Sequence, residues 1–121
     1  MKKTFITTIV AIFFCSYVFA AEIYQSNING KWVITAVTQT LSSDPEPWRY
    51  SPQSWEFKSH GVMIYTSGNT SRKMKYMIED KNIKIDSLGF ITIYKVESYQ
   101  YDQMIWLNTT MNNYYHLKRS N

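Results

Sequence analysis

Cysteine is almost missing from this chain of 121 residues. Its one cysteine, Cys15, lies inside an apolar segment near the N-terminus, and no other cysteine follows it. Structural disulfides, catalytic thiols and metal sites built from thiolates all need cysteines in the folded domain. The sequence therefore excludes these three features from everything that follows the apolar segment.

Histidine and glycine are also scarce, with two and four residues. His60 lies in a predicted turn and His116 in a predicted strand, and neither has a carboxylate close to it in sequence. The glycines form no phosphate-binding loop, and the serines show no nucleophile-elbow spacing. We therefore predict no catalytic residues, no metal site and no cofactor, and we expect both histidines to serve in packing or on the surface. The protein is predicted not to be an enzyme.

A long hydrophobic run occurs only at the N-terminus, where it has the form of a secretory signal peptide. Lys2 and Lys3 give a positive start, and an apolar run extends from Phe5 to Phe14. Val18-Phe19-Ala20 then supplies a small-x-small cleavage pattern. The alternative is a transmembrane anchor, but the run is shorter than the roughly 20 residues that a spanning helix needs. We predict that residues 1–20 are removed by cleavage after Ala20.

Cleavage leaves residues 21–121, a length that suits a single small domain. Export would place this domain in the periplasm or outside the cell, with no stable membrane anchor. Loss of Lys2 and Lys3 leaves 11 basic and 9 acidic residues, a net charge of +2. This balance is too even for electrostatic binding of nucleic acid, so we expect none. The sequence indicates no particular oligomeric state.

Apolar and polar residues alternate along most of the predicted domain with the period of two that is typical of β-strands. No long segment with a helical period follows the signal peptide. Predicted strand starts recur about every ten residues, the spacing expected of a meander, sandwich or barrel. The eight predicted strands are Lys31–Gln39, Trp55–Lys58, Val62–Thr66, Arg72–Glu79, Ile83–Asp86, Phe90–Ser98, Gln103–Asn108 and Tyr114–Arg119.

Most predicted strands have one apolar face, as in an antiparallel sheet with one side in water. Trp55 and Phe57, for example, alternate with Glu56 and Lys58. The sixth strand, Phe90–Ser98, departs from this pattern because its first half is apolar on both faces. A purely structural oligomer that covers the second face is therefore one of the alternatives for function.

Proline occurs three times, and all three prolines lie in residues 41–53, the longest segment without a strand pattern. Because proline lacks an amide hydrogen, we expect this segment to stay outside the sheet. Trp48, Arg49 and Tyr50 lie at its centre, and these residue types are enriched at protein-binding hot spots. A stiff aromatic loop of this kind favours the binding of a protein partner. The alternative is a lid that folds over the mouth of a barrel.

The first predicted strand opens with Gly30-Lys31-Trp32. Residues 54–61, SWEFKSHG, combine an aromatic-x-Phe strand with a turn glycine, and residues 114–119, YYHLKR, end the domain with tyrosine and basic residues. In these features the chain resembles the small bacterial lipocalin-like, or calycin-like, barrels. The resemblance implies an all-β fold, an antiparallel up-and-down barrel of about eight strands. It also implies that a late basic residue, Arg119 or Lys118, packs over Trp32.

The interior of such a barrel is filled by side chains or holds one small ligand. The residues predicted to point inward are Trp32, Ile34, Trp55, Phe57, Tyr94 and Trp106. We interpret this set first as core and second as the lining of a site for a small apolar or amphipathic ligand.

The function that these observations favour is that of an exported, non-enzymatic binding protein. Its expected partner is a protein of the bacterial envelope, which it would engage in an inhibitory, immunity-type or accessory role. The alternative is a carrier that holds a small apolar or amphipathic ligand inside the barrel.

Overall fold

The computed structural model describes residue 23 and residues 25–42 and 44–120. The predicted signal peptide, residues 1–20, lies outside the described residues. Within the described residues, one turn of helix, α1 (Gln25–Ile28), is followed by nine strands, with a 3-10 turn at Ser59–Gly61. The strands are β1 (Gly30–Thr38), β2 (Glu46–Pro47), β3 (Gln53–Phe57), β4 (Val62–Ser67), β5 (Thr70–Glu79), β6 (Asn82–Ser87), β7 (Phe90–Tyr99), β8 (Gln103–Asn108) and β9 (Asn113–Ser120).

Eight of these strands form a closed antiparallel barrel, which confirms the predicted all-β, up-and-down fold. Each strand from β3 to β8 pairs with the next along the chain, β1 pairs with β3, and β9 returns to pair with β1. Closure removes the free strand edges that an open sheet would present to other chains. The predicted strands correspond one to one with these eight, and their bounds differ by no more than two residues.

The expectation that the proline-rich segment stays outside the sheet is wrong at one point. Glu46 and Pro47 form β2, in which Pro47 lies opposite Ala36 and Glu46 opposite Val37 of β1. Proline is tolerated here because β2 is a short edge strand, where an amide hydrogen is not needed for pairing. The next residue supplies the missing donor, since the Trp48 amide donates to the carbonyl of Thr35 at 2.9 Å.

Antiparallel order places the connections between strands alternately at two ends of the barrel. One of them, the helix end, carries α1 and the connections 58–61, 80–81 and 100–102. The other, the loop end, carries the connections 39–52, 68–69, 88–89 and 109–112. The long segment with Trp48 thus shares the loop end with three short turns.

Aromatic side chains fill the interior of the barrel. Trp106 is fully buried, and its ring centre lies 4.8 Å from that of Tyr94, 5.3 Å from that of Trp55 and 5.9 Å from that of Phe57. Phe57 continues the cluster to Tyr76, with ring centres 4.9 Å apart. Such large apolar side chains let a small domain without disulfides bury enough surface to be stable.

A bulge in β1 changes which of its residues face the interior. Ile34 pairs with Leu117 and Val37 pairs with Tyr115, so the register shifts by one residue between them. A shift of one residue exchanges the two faces of a strand. Val37 therefore shares the inner face with Tyr115, whereas Thr38 lies on the outer face.

Candidate functional site

A cavity of about 530 Å³ lies at the loop end, between β2 with the residues that follow it and the adjoining ends of β1 and β9. Its lining combines aromatic, apolar and polar side chains, and it includes the three residues predicted to bind a partner. The lining residues are Val37, Glu46, Pro47, Trp48, Arg49, Tyr50, Asn113 and Tyr115. We take this cavity and the loop beside it as the candidate site.

Trp48 fastens the loop to the barrel. Its amide is bonded to Thr35, and its indole Nε1 donates to the carbonyl of Ser51 at 2.8 Å. Its ring is half-buried, packs against the core and meets Tyr50 edge to face at 5.2 Å. The amide of Gly68 holds the far side of the loop by donating to the carbonyl of Pro52 at 2.9 Å.

Arg49 and Tyr50 differ from Trp48 because they project into solvent. Tyr50 is 77% exposed, and Arg49 is also exposed. Of the three residues predicted to bind a partner, Trp48 therefore anchors the loop, whereas Arg49 and Tyr50 are exposed on it. Both sides of the loop are hydrogen-bonded to strands or turns. The backbone that carries the two exposed side chains is therefore ordered before any partner binds.

Three tyrosines converge beneath this loop. Tyr94 lies 5.8 Å from Tyr115 between ring centres, and both Tyr65 and Tyr115 pack on Trp55. Burial raises the pKa of Tyr94, and the neighbouring phenols of Tyr115 and Tyr65 raise it further, so this hydroxyl stays protonated well above its ordinary range. Tyr94 therefore contributes a neutral hydroxyl to this aromatic cluster.

Two asparagines border the tyrosine cluster. The Asn108 side chain accepts from the amides of Thr110 and Met111 at 3.0 and 3.1 Å, and its Nδ2 donates to the hydroxyl of Tyr115 at 3.3 Å. Asn113 lines the cavity, and its buried Oδ1 has no hydrogen-bond donor among the described residues. A buried carbonyl oxygen without a donor is unfavourable, so this atom is placed to accept from water or from a ligand.

The residues predicted to point inward do so, and they pack on one another. Trp32, Trp55, Phe57, Tyr94 and Trp106 are each at most 9% exposed. Ile34, which belonged to the same predicted set, is also buried. The Nε1 of Trp106 has no hydrogen-bond partner among the described residues.

Trp32 lies at the helix end, away from the candidate site. Its indole donates to the carbonyl of Ile28 in α1 at 2.8 Å, and the guanidinium of Arg119 lies 4.3 Å from its ring centre. Of the two basic residues proposed to pack over Trp32, the structure selects Arg119. Tyr101 stacks on the same guanidinium at 4.6 Å, a contact that sequence reasoning missed.

The two histidines lie apart from the cavity. His116 is half-buried on the outer face, where its Nε2 lies 3.0 Å from the Thr38 hydroxyl, and burial lowers the pKa of its imidazole. His60 is exposed in the connection between β3 and β4, and its Nδ1 lies 3.1 Å from the Ser59 hydroxyl. Each ring thus has a neutral hydroxyl as its neighbour.

Some general features of the described residues bear on ligands. Within residues 23, 25–42 and 44–120, no three histidines, cysteines or carboxylates come together as a potential metal site. In the same residues, no helix has the length and apolar character to cross a bilayer. A second depression of about 510 Å³ lies on the barrel wall, with Val62, Lys75, Met77, Lys84 and Ile91 among its lining residues.

Sequence reasoning missed Val37, Asn113 and Tyr115 as parts of the site. The bulge that turns Val37 inward leaves no signal in the alternation of apolar and polar residues. Asn113 ends the segment NTTMNN, residues 108–113, whose mostly polar composition indicates a turn without showing which amide becomes buried. Their convergence depends on the pairing of the first and last strands.

No protein-family model matches the chain, and no characterised protein or solved structure with which it was compared matches it either. The eight-stranded antiparallel barrel is consistent with a calycin-like fold.

Proposed function

We propose that this chain is an exported, non-enzymatic binding protein of the lipocalin-like type, and that its loop end engages a protein partner in the bacterial envelope. The observation that carries the proposal is the exposure of Arg49 and Tyr50 on a loop that is hydrogen-bonded on both sides. Tyrosine and arginine are enriched at binding hot spots. A loop that is already ordered loses little conformational entropy when it binds.

The test compares variants of the exposed pair with a variant at the opposite end of the barrel. Arg49→Ala with Tyr50→Ala removes the presented side chains and leaves Trp48 and its two hydrogen bonds in place. Lys118→Ala, an exposed residue near the helix end, is the matched control. We expect the double variant to keep the melting temperature of the wild type and to lose a partner that wild type and control both retain in affinity purification from a periplasmic extract.

Trp48 is unsuitable for this experiment because its ring packs on the core. A loss of partner after Trp48→Ala would mix loop unfolding with loss of contact. Equal recovery of the partner by the wild type and the Arg49/Tyr50 double variant would contradict the proposal.

A small amphipathic ligand in the loop-end cavity is the second candidate function. It is supported by the buried Oδ1 of Asn113, which has no donor within the described part of the chain and lines the same cavity as Trp48 and Tyr115. A ligand with an apolar body and one hydrogen-bond donor would suit this lining. Native mass spectrometry of the gently purified protein distinguishes the two candidates, because a bound ligand adds a discrete mass that leaves on activation.

A further inference from the structure

Exposed apolar side chains are concentrated at the loop end. Eight large apolar side chains are exposed in the described part of the chain. Tyr101 lies at the helix end, stacked on Arg119, and Met77 lies on the barrel wall in β5. Ile91, in β7, lines the same wall depression as Met77. The other five lie in loop-end connections or directly beside one, and they are Leu41, Tyr50, Leu88, Phe90 and Met111.

The turn between β6 and β7 holds the most exposed of these residues, Leu88, whose side chain is 97% exposed. Leu88 and Gly89 are the two central residues of the turn, with φ values of +54° and +94°. A turn with two positive φ values favours Asn-Gly or Asp-Gly. Leucine is disfavoured in this conformation because its side chain crowds the backbone.

Comparison within the chain shows how unusual Leu88 is. The other non-glycine residues with positive φ in the described part are His60, Asp80 and Asn112. These are residue types that tolerate left-handed backbone. Leu88 is the exception, and its exposure shows that no packing offsets the unfavourable conformation. The leucine therefore does not stabilise the fold. An apolar contact with another molecule would account for its presence.

Charge is missing around this turn and around the neighbouring one. No charged residue occurs between Asp86 and Lys95, or between Asp102 and Lys118. Phe90, which is 80% exposed, and Met111, which is 66% exposed, lie within these uncharged segments. Apolar tips with neutral polar neighbours enter the interface of a bilayer without the penalty of burying a charge.

Two basic residues lie on one side of the uncharged turn. Lys75 of β5 pairs with Asp86 of β6, so Arg72 and Lys73, earlier on β5, lie along the strand beside the turn. Asp86, the acidic residue next to the turn, directs its Oδ1 to the turn itself, where this atom accepts from the Gly89 amide at 2.8 Å. The acidic residues Asp44 and Glu46 lie in the separate connection 39–52. Basic side chains beside an apolar tip suit the phosphates of anionic lipids.

We propose that the loop end docks on the surface of a phospholipid bilayer, with Leu88 and Phe90 inserted beneath the headgroups and Arg72 and Lys73 against lipid phosphates. The barrel itself remains outside the hydrocarbon. The contact is peripheral and reversible, because a few side chains bury far less apolar surface than a spanning segment does. This docking is independent of the protein partner proposed above, which is engaged through Arg49 and Tyr50.

The test is cosedimentation of the exported form, purified from the periplasm, with vesicles of equal parts phosphatidylcholine and phosphatidylglycerol. Leu88→Asn with Phe90→Thr removes both apolar tips and keeps the length of the turn. Met77→Gln removes an apolar side chain that is 58% exposed on the barrel wall, away from the loop end, and is the control. We expect wild type and control to bind alike, and the double variant to bind at least about tenfold more weakly.

The single variant Leu88→Asn separates docking from folding. Asparagine suits the left-handed turn, so we expect its urea midpoint to equal or exceed that of the wild type while its vesicle binding falls. It also replaces the double variant should that one fail to fold.

Three results would overturn the proposal. The first is a wild-type protein that does not sediment with the vesicles. The second is a Leu88→Asn variant that binds them as well as the wild type does. The third is a change in oligomeric state on Leu88→Asn with vesicle binding unaltered, which would make the turn a contact between copies of this chain. The Arg49/Tyr50 double variant separates this proposal from the proposal of a protein partner. We expect it to bind vesicles as the wild type does, even though it loses the protein partner.

Discussion

The guanidinium of Arg119 lies 4.3 Å from the ring centre of Trp32, and the two residues face each other across the seam where the last strand of the barrel meets the first. Arg119 Nε also donates to the carbonyl of Tyr101 at 2.7 Å, and its two terminal nitrogens donate to the carbonyls of Asn27 and Asn29. One side chain thus links β9, β1, the segment Asn27–Asn29 and the β7–β8 connection.

Arg119→Ala should destabilise the fold by about 2–4 kcal/mol, because it removes three charge-assisted hydrogen bonds and a stacked cation. Arg119→Lys keeps the charge without the planar fork, and we expect it to recover less than about half of the loss. Lys118→Ala, at the exposed neighbour, should change stability by no more than about 0.5 kcal/mol. Urea unfolding measures all three, and wild-type stability in Arg119→Lys would contradict the role given to the guanidinium.

Gly30→Ala should destabilise the protein more than Gly89→Ala does. Gly30 has φ +115°, and a Cβ added there would lie 2.9 Å from Nη1 of Arg119. Gly89 has φ +94° with no atom within 4 Å of an added Cβ, so its substitution reports the backbone effect alone, roughly 1–3 kcal/mol.

We attribute the greater destabilisation by Gly30→Ala, relative to Gly89→Ala, to the clash with Arg119. A double-mutant cycle tests this explanation. In an Arg119→Ala background the extra loss at Gly30→Ala should disappear, with a coupling energy of at least about 0.5 kcal/mol. Additive effects of Gly30→Ala and Arg119→Ala would refute a steric origin.

Trp106→Ala should cost about 3–5 kcal/mol, the range for removing a large buried ring. Trp48→Ala should cost only about 1–2 kcal/mol, since its ring is half-buried at the edge of the core. Trp106→Phe is a milder variant in case the first does not fold. Thermal and urea unfolding give the order of the two tryptophans, and an equal loss at both positions would make the loop as much a part of the core as the barrel interior.

Stability should fall at alkaline pH because of Tyr94. Its pKa is raised in the folded state, so the folded protein keeps the phenol neutral when the unfolded chain ionises it. The contribution of Tyr94 to the free energy of unfolding is complete below about pH 10, the pKa of an unperturbed tyrosine. It is lost as the pH rises above this value toward the pKa of the folded state. Tyr94→Phe should flatten the decline in unfolding free energy between pH 9 and pH 11.

Tyr101→Phe, at an exposed tyrosine, is the control for this pH series and should retain the wild-type slope. A Tyr94→Phe variant that declines as steeply as the wild type would show that the ionisation of other groups governs alkaline unfolding.

Local pattern was sufficient to predict the strands and the composition of the core. Trp55 and Phe57 alternate with Glu56 and Lys58, and only a strand with one face inward buries the first pair while hydrating the second. The same reasoning explains why the predicted bounds of β8, Gln103–Asn108, agree with the structure. For β8, the alternation of six residues was enough to predict the strand, and no knowledge of its pairing partners was needed.

The candidate site was predicted in part. The segment with Trp48, Arg49 and Tyr50 was recognised from its prolines and aromatic residues, but the division between an anchoring Trp48 and an exposed pair was not. That division depends on the bond from the Trp48 amide to Thr35 and on the pairing of Pro47 with Ala36. Neither partner is a neighbour in sequence.

The sequence by itself determined the all-β class, the alternation of faces and the aromatic content of the interior, because each depends on residues within one strand. Tertiary structure decided that Arg119 rather than Lys118 covers Trp32, that Val37 turns inward, and that Asn113 and Tyr115 meet the loop. These outcomes depend on the register of β1 against β9, two strands separated by most of the chain. A register shift of one residue reverses every face, so only the closed barrel specifies which side chains meet.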